Sequence, residues 1–278
     1  MMVTRTVALG VTVLALGGCG HSGPKGAITV FAASSLRAPL EQIAKDYASD
    51  HSGITVHVQA GVSRQLFGQL HALDPKRPPA ADVFATADTT VVHDLTGNDE
   101  LHGNDEVTGN PTYAQIFVND PLTIVVRRGN PMKIARLSDL AKPTIRAALG
   151  SPRTVLGIVA RRALGRSAVT AKRVVTIGSA GAAIDAVSAG RADAAIVYST
   201  DAHDAGDRIT TIPIPQAQNL PADYLVALVL PIQHDKLAKA FITHLFSPDA
   251  QKALTASGFA PIACKGPVTN CALHFPNH

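Results

Sequence analysis

Apolar residues recur along this chain with two alternating periods. AITVFAA (27–33) is a short β-rich run. LRAPLEQIAKDYASD (36–50) then carries apolar residues at 36, 40, 43, 44 and 47, the spacing of one helix face. Gly53 breaks that pattern, ITVHVQA (54–60) alternates as a strand does, and SRQLFGQLHAL (63–73) returns to the helical period. A proline-rich loop, DPKRPPA (74–80), precedes a further strand, DVFATAD (82–88). The second half repeats the theme. LTIVVRRGNP (122–131) is a strand closed by a Gly-Asn-Pro turn, and IRAALGSP (145–152) is followed by a helix over VARRALG (159–165). RVVTIGSA (173–180), a small-residue helix at AAIDAVSAG (182–190), ADAAIVYSTDA (192–202), RITTIPIP (208–215) and DYLVALVL (223–230) come next. The helical segments DKLAKAFITHLFS (235–247) and SPDAQKALTASGF (247–259) close the pattern. Strands alternating with helices predict an α/β protein. Two similar units, with the final helices returning to the first, predict a two-lobed clamshell in which each lobe is a mainly parallel sheet flanked by helices. The expected division places 27–114 and 232–278 in lobe 1 and 115–231 in lobe 2.

The first residues stand apart. MMVTR supplies one positive charge, Arg5, and the apolar run TVALGVTVLALGG is too short for a spanning helix, which needs ~20 residues. The run ends in Leu16-Gly17-Gly18-Cys19, which resembles a bacterial lipobox. The resemblance implies a lipoprotein signal peptide over 1–18, lipidation of Cys19, and a Gly/Ser/Pro-rich tether over 19–26. The alternative is a plain secretion signal with a coincidental cysteine. Lipid chains would hold the protein outside the cytoplasm, anchored to the cell membrane without a span. Removing Cys19 leaves Cys264 and Cys271, and an even pair in an exported protein suggests a disulfide, with two free thiols as the alternative.

Composition narrows the function. The 278 residues are 46% hydrophobic and 17% charged, enough to build a sizeable core. The net charge of +4 is scattered rather than clustered, which argues against nucleic acid. Aromatics at 4% and the absence of Trp argue against sugars and quaternary amines, which need stacking faces. GNDELHGNDE (97–106) looks like a cation loop but lacks the register of a calcium site, so it reads as a solvated turn, and no metal site is expected. There is no G-x-S-x-G, H-E-x-x-H, P-loop or G-x-G-x-x-G, so no enzyme and no cofactor are expected. The eleven histidines are scattered, and His57 and His71 read as surface residues.

The chemistry then concentrates at two seams. Ser35 and Ser63 each follow a predicted strand and open a predicted helix, the position of an N-cap. In such sheets ligands bind beyond the carboxyl ends of strands, where the first helical N–H groups lack partners and favour an anion. One capping serine proves little; two converging helix starts, each with a hydroxyl, can hold one small anion.

At this point the chain resembles the periplasmic molybdate-binding proteins of ABC importers. The resemblance rests on ITVFAASSL (28–36), SRQLFGQL (63–70), ADVFATAD (81–88), GNP (129–131), ADAAIVYSTDA (192–202) and SPDAQKALTASGF (247–259). It implies a type II periplasmic-binding-protein clamshell that holds a tetrahedral oxyanion between its lobes through uncharged donors and delivers it to a membrane permease as a monomer. By position the donors would be Ser35, Ser63, the Tyr198 hydroxyl, the Ala180 amide, and the amide of Leu156 or Gly157. GSPRTVLGIVA (150–160) departs from the family's usual proline-containing stretch, and Val62 stands where a further hydroxyl often does. The ligand implied is molybdate, with tungstate or sulfate as alternatives, and a surface lipoprotein without a transport role as the remaining one. Asp82, Asp88 and Asp201 are expected to serve helix starts and loop amides, since like charge repels a dianion.

Overall fold

The structure is a computed structural model, and it describes residues 25–71, 79–96, 114–229 and 233–262. Cys19 and the lipobox, the tandem at 97–106, and Cys264 and Cys271 lie outside the described residues. The strands are β1 (Gly26–Ala33), β2 (Ile54–Gly61), β3 (Val83–Thr86), β4 (Ala114–Asp120), β5 (Leu122–Arg127), β6 (Arg146–Gly150), β7 (Arg173–Ile177), β8 (Ala194–Tyr198), β9 (Ile209–Pro213), β10 (Ala222–Leu228) and β11 (Ala260–Pro261). The helices are α1 (Arg37–Asp50), α2 (Ser63–His71), α3 (Thr89–Thr96), α4 (Val155–Arg166), α5 (Ala180–Ser188), α6 (Ser199–Ala205), α7 (Asp235–His244) and α8 (Pro248–Ala256).

Two sheets organise two lobes. The first has the order β11-β4-β10-β3-β1-β2, the second β7-β6-β8-β5-β9. The expected α/β clamshell is present, but the sheets are mixed rather than mainly parallel. β1 runs parallel to β2 and β3, and β6 parallel to β7 and β8, whereas β10 is antiparallel to β3 and β4, and β5 to β8 and β9. The reversed strands are those next to the crossings between sheets. β4 leads straight into β5 through Asp120 and Pro121, and β9 leads back through 214–221 into β10. The lobe boundary moves accordingly: β4 and β10, expected in the second lobe, are hydrogen-bonded members of the first sheet.

Each sheet is covered on both faces, which is why its strands read as near-continuous apolar runs. In β1, Ile28, Val30 and Ala32 point to one side and meet Leu36, Leu40, Ile43 and Tyr47 of the following helical turn and α1, with Phe241 and Ile242 of α7 and Leu254 of α8. Phe31 points the other way and meets Phe84 of β3 edge to face, with centroids 6.3 Å apart, beside Leu66 of α2 and Val91 of α3. The apolar positions 36, 40, 43, 44 and 47 that predicted the first helix are all buried. The second sheet alternates likewise: Leu122, Ile124 and Val126 of β5 face α4, while Val125 faces α5 and α6. With both faces of each sheet covered, the strand ends are the place where a ligand of such a fold binds.

Candidate functional site

The parallel strands β1 and β2 end side by side, with Ala33 paired to Gly61. The chain leaves β1 through a single 3-10 turn, Ser34–Leu36, before α1 begins, and leaves β2 through Val62 into α2. Between these ends and α6 of the other lobe lies a cleft of about 470 Å³. Ser34, Ser35, Val62 and Ser63 line it from the first lobe, and Thr200, Asp201 and Asp204 from the second.

Neither serine caps its helix. The residues in the N-cap positions around the first turn, Ala33 and Leu36, make no side-chain cap bond, and at α2 it is the Val62 carbonyl that accepts from the Gln65 and Leu66 amides. The short 3-10 turn displaces the start of α1 past Ser35, so the hydroxyl is left over for other partners. Ser35 Oγ lies 2.8 Å from the Tyr224 hydroxyl of β10. Ser63 Oγ accepts from Thr86 Oγ1, at the end of β3, at 2.8 Å. Thr86 is buried and accepts in turn from the Asp88 amide at 2.9 Å. Both cleft serines are therefore seated on buried hydroxyls of neighbouring strands.

The cations next to the serines in sequence turn away. Arg37 donates to the Ala60 carbonyl, and Arg64 pairs with Asp94 at 2.7 Å and bonds Thr90. Among the described lining residues there is no lysine or arginine. The first-lobe donors at the cleft are hydroxyls and the amides of the strand ends.

In the second lobe Tyr198 ends β8 and stands in the N-cap position of α6. Its phenol is pushed up to about 12, first by burial and then by the carboxylates of Asp120 and Asp201 nearby, so it is a proton donor at any physiological pH. Asp120 is buried at the β4–β5 crossing and accepts from Thr200 Oγ1 at 2.6 Å and from the Thr200 amide at 3.3 Å. Burial raises its carboxyl to about 7 against those bonds. The starts of α4 and α5 supply the candidate amides. Thr154 caps α4 by accepting from the Gly157 amide at 3.1 Å, so that N–H is spent within the helix start, while the Leu156 amide has no partner among the described residues. Of the two neighbours, Leu156 is thus the available donor. Ala180 opens α5, where Ser179 accepts from Ala182 and leaves the Ala180 amide unpaired among the described residues. The structure gathers Ser35 and Ser63 at the cleft with Tyr198 adjoining through Ser199 and Thr200; Leu156, Gly157 and Ala180 do not line it.

The acids divide. Asp82 accepts from the Thr29 amide and pairs with His234, both at 2.8 Å, and Asp88 caps α3 through Thr90 and Val91. Asp201, expected to serve only backbone amides, also lines the cleft beside Asp204; burial, then the Asp204 charge, raises its carboxyl. His57 is exposed, as read from the sequence. Thr86, Tyr224, Asp120, Thr200 and Asp204 were not singled out by sequence; a lone polar residue ending the buried run VFAT was the available signal for Thr86.

The sequence profile of a family described as bacterial extracellular solute-binding protein matches residues 28–260. The chain is 28% identical over 260 residues to the molybdate-binding protein ModA of Mycobacterium tuberculosis, covering 94% of each. It is 26% identical over 243 residues to the putative ABC transporter substrate-binding lipoprotein YvgL of Bacillus subtilis, covering 86% of this chain and 88% of that one. Among solved structures, the substrate-binding domain of a putative molybdenum ABC transporter from Clostridium difficile superposes with a TM-score of 0.71 at 21% identity, covering 85% of this chain and 99% of that one.

Proposed function

The chain belongs to the bacterial extracellular solute-binding proteins, and we propose that it captures molybdate between its two lobes and delivers it to the permease of an ABC importer. The observation that carries this reading is the pair of serine hydroxyls at the ends of β1 and β2, in a cleft from which the neighbouring arginines are turned away. Similarity to the mycobacterial molybdate-binding protein over 94% of the chain supports the choice of anion.

The physical logic is that of a desolvated dianion. Burying a charged tetrahedron is costly unless its oxygens are hydrogen-bonded. Ser35 and Ser63 offer O–H donors from the first lobe. Tyr198 and the amides of Leu156 and Ala180 offer the complement from the second, and closing the lobes would bring the two sets onto one anion and expel water. None of these donors titrates near neutrality, so the grip does not depend on a proton at the donor side. A fixed ring of donors also selects by size: tungstate fits nearly as molybdate does, and the smaller sulfate cannot reach all of them.

The role is binding and delivery without turnover or cofactor, by a monomer. The same reading has lipidated Cys19 holding the protein on the outer face of the membrane, supported by the likeness to a named lipoprotein, and a Cys264–Cys271 disulfide pinning the C-terminal tail. The test is calorimetric titration with molybdate. The wild-type protein binds, and the Ser35→Ala/Ser63→Ala double variant loses binding; unchanged affinity in the double variant would remove both residues from the site. A thermal-shift panel of molybdate, tungstate, sulfate and phosphate assigns the anion, because a ligand of the native state raises the melting temperature.

A further inference from the structure

We propose that Thr86 and Tyr224 are positioning residues of the anion site: each donates its buried hydroxyl proton to the Oγ of one cleft serine, Thr86 to Ser63 and Tyr224 to Ser35, and so aims both serine protons into the cleft. The inference rests on the oxyanion reading above and concerns how its first-lobe donors are oriented.

A serine hydroxyl has one proton to give and rotates freely unless something fixes it. At Ser63 the direction is set by accounting for Thr86. That residue is 1% exposed, and its oxygen already accepts from the Asp88 amide at 2.9 Å. Its proton needs an acceptor, because an unpaired buried donor is costly, and the oxygen 2.8 Å away is Ser63 Oγ. Ser63 cannot then return its own proton along the same line.

Ser35 repeats the arrangement with a hydroxyl from β10, one strand beyond β3. Tyr224 is 8% exposed, its ring is held edge to face by Phe259 at 5.1 Å, and its hydroxyl meets only Ser35 Oγ, at 2.8 Å, among the described residues. The geometry permits either direction of donation, and burial decides it. If Ser35 gave its proton to Tyr224, the enclosed phenol proton would have nowhere to go, whereas exposed Ser35 can always find a partner in the cleft. Burial first, and then the charges of Asp120, Tyr198 and Asp201, hold the phenol protonated against the opposing effect of the Ser35 hydrogen bond. Thr86 and Tyr224 sit on adjacent antiparallel strands; Thr86 is registered against Leu225, the neighbour of Tyr224, so the two backing residues leave opposite faces of the first sheet and reach the serines separately. Donors fixed in advance towards the charge they will meet cost no reorganisation on binding, and a donated hydrogen bond makes each serine proton a stronger donor in turn.

The test uses the full chain and isothermal titration with sodium molybdate. Thr86→Val and Tyr224→Phe remove only the backing hydroxyl and each weakens binding about tenfold, the effect of one lost hydrogen bond. Thr86→Ser keeps the hydroxyl while deleting the methyl and binds within about twofold of wild type. Urea unfolding checks that each variant is folded, and Tyr224→Phe carries the test if Thr86→Val does not fold. Unchanged affinity in folded Thr86→Val and Tyr224→Phe overturns the inference, as does a Thr86→Ser variant as weak as Thr86→Val, which would mean that packing and not the hydroxyl matters. A wild-type protein that binds no oxyanion would overturn the functional reading, and this inference with it.

Discussion

At the level of single residues, Gly150 and Gly157 let two stretches of backbone lie close together at the start of α4. A Cβ on Gly157 would fall 2.0 Å from the Ser151 carbonyl oxygen and 2.4 Å from that of Gly150, and a Cβ on Gly150 would fall 2.7 Å from the Gly157 nitrogen. The first turn of α4 is thus pressed against the end of β6, which is where the Leu156 amide is presented. Gly157→Ala is expected to cost about 2 kcal/mol or more in urea unfolding, because backbone atoms and not a flexible side chain must give way. In a protein that stays folded it should also weaken molybdate binding by moving that amide. Here the sequence was informative only in part. It offered Leu156 and Gly157 as neighbours, and the choice between them came from Thr154, whose cap bond falls on the Gly157 amide and not on that of Leu156. For the serines the sequence located both hydroxyls but assigned the wrong partners. The strand-to-helix seam predicts a cap, and the actual partners, Thr86 and Tyr224, lie 23 and 189 residues away.

Elements were legible to the degree that their burial is periodic. α1 carried its apolar stripe in plain view, and β1, β2, β5 and β8 were visible as apolar runs. β4, with the sequence AQIFVND, was not singled out, and its place explains why: it is defined by pairing with β10 and β11, more than one hundred residues later. Local pattern states that a stretch is extended and says nothing about which sheet receives it, so β10 was assigned to the wrong lobe. The Asn219 side chain ties the segment that returns the chain to the first sheet to the start of β5. Asn219 is 6% exposed; its Oδ1 accepts from the Leu122 amide at 2.9 Å, and its Nδ2 donates to the carbonyls of Leu122 and Ile214 at 2.9 and 3.2 Å. It ties the outgoing crossing to the returning one. Asn219→Ala leaves the buried Leu122 amide without that acceptor, and a loss of about 2 kcal/mol is expected in thermal or urea unfolding.

For the whole molecule, the crossing between lobes is also where proton binding and folding are linked. Asp120 closes β4, and its carboxylate holds Thr200 at the start of α6. Its carboxyl stands at about 7 in the folded protein against 3.8 as the ordinary value, so the folded state binds this proton more tightly than the unfolded chain does. The contribution is fully present below pH 4 and is lost as the pH rises through 7, amounting to no more than about 4 kcal/mol. His244 is shifted downward, chiefly by burial, and acts with the opposite sign below its ordinary value of 6.5. The measurement is therefore the difference between wild type and Asp120→Asn in urea unfolding from pH 4 to 8. The variant should gain relative stability towards pH 8, and a difference independent of pH would show that Asp120 does not titrate in this range. The two crossings have one more consequence. All five strands of the second sheet come from the unbroken stretch 122–213, whereas the first sheet recruits β10 and β11 from the far end of the chain. As the polypeptide emerges, one half can finish while the other waits, half built, for its last pieces. A product ending prematurely after residue 215 would keep every strand of the late-starting half and leave the early-starting one unfinished.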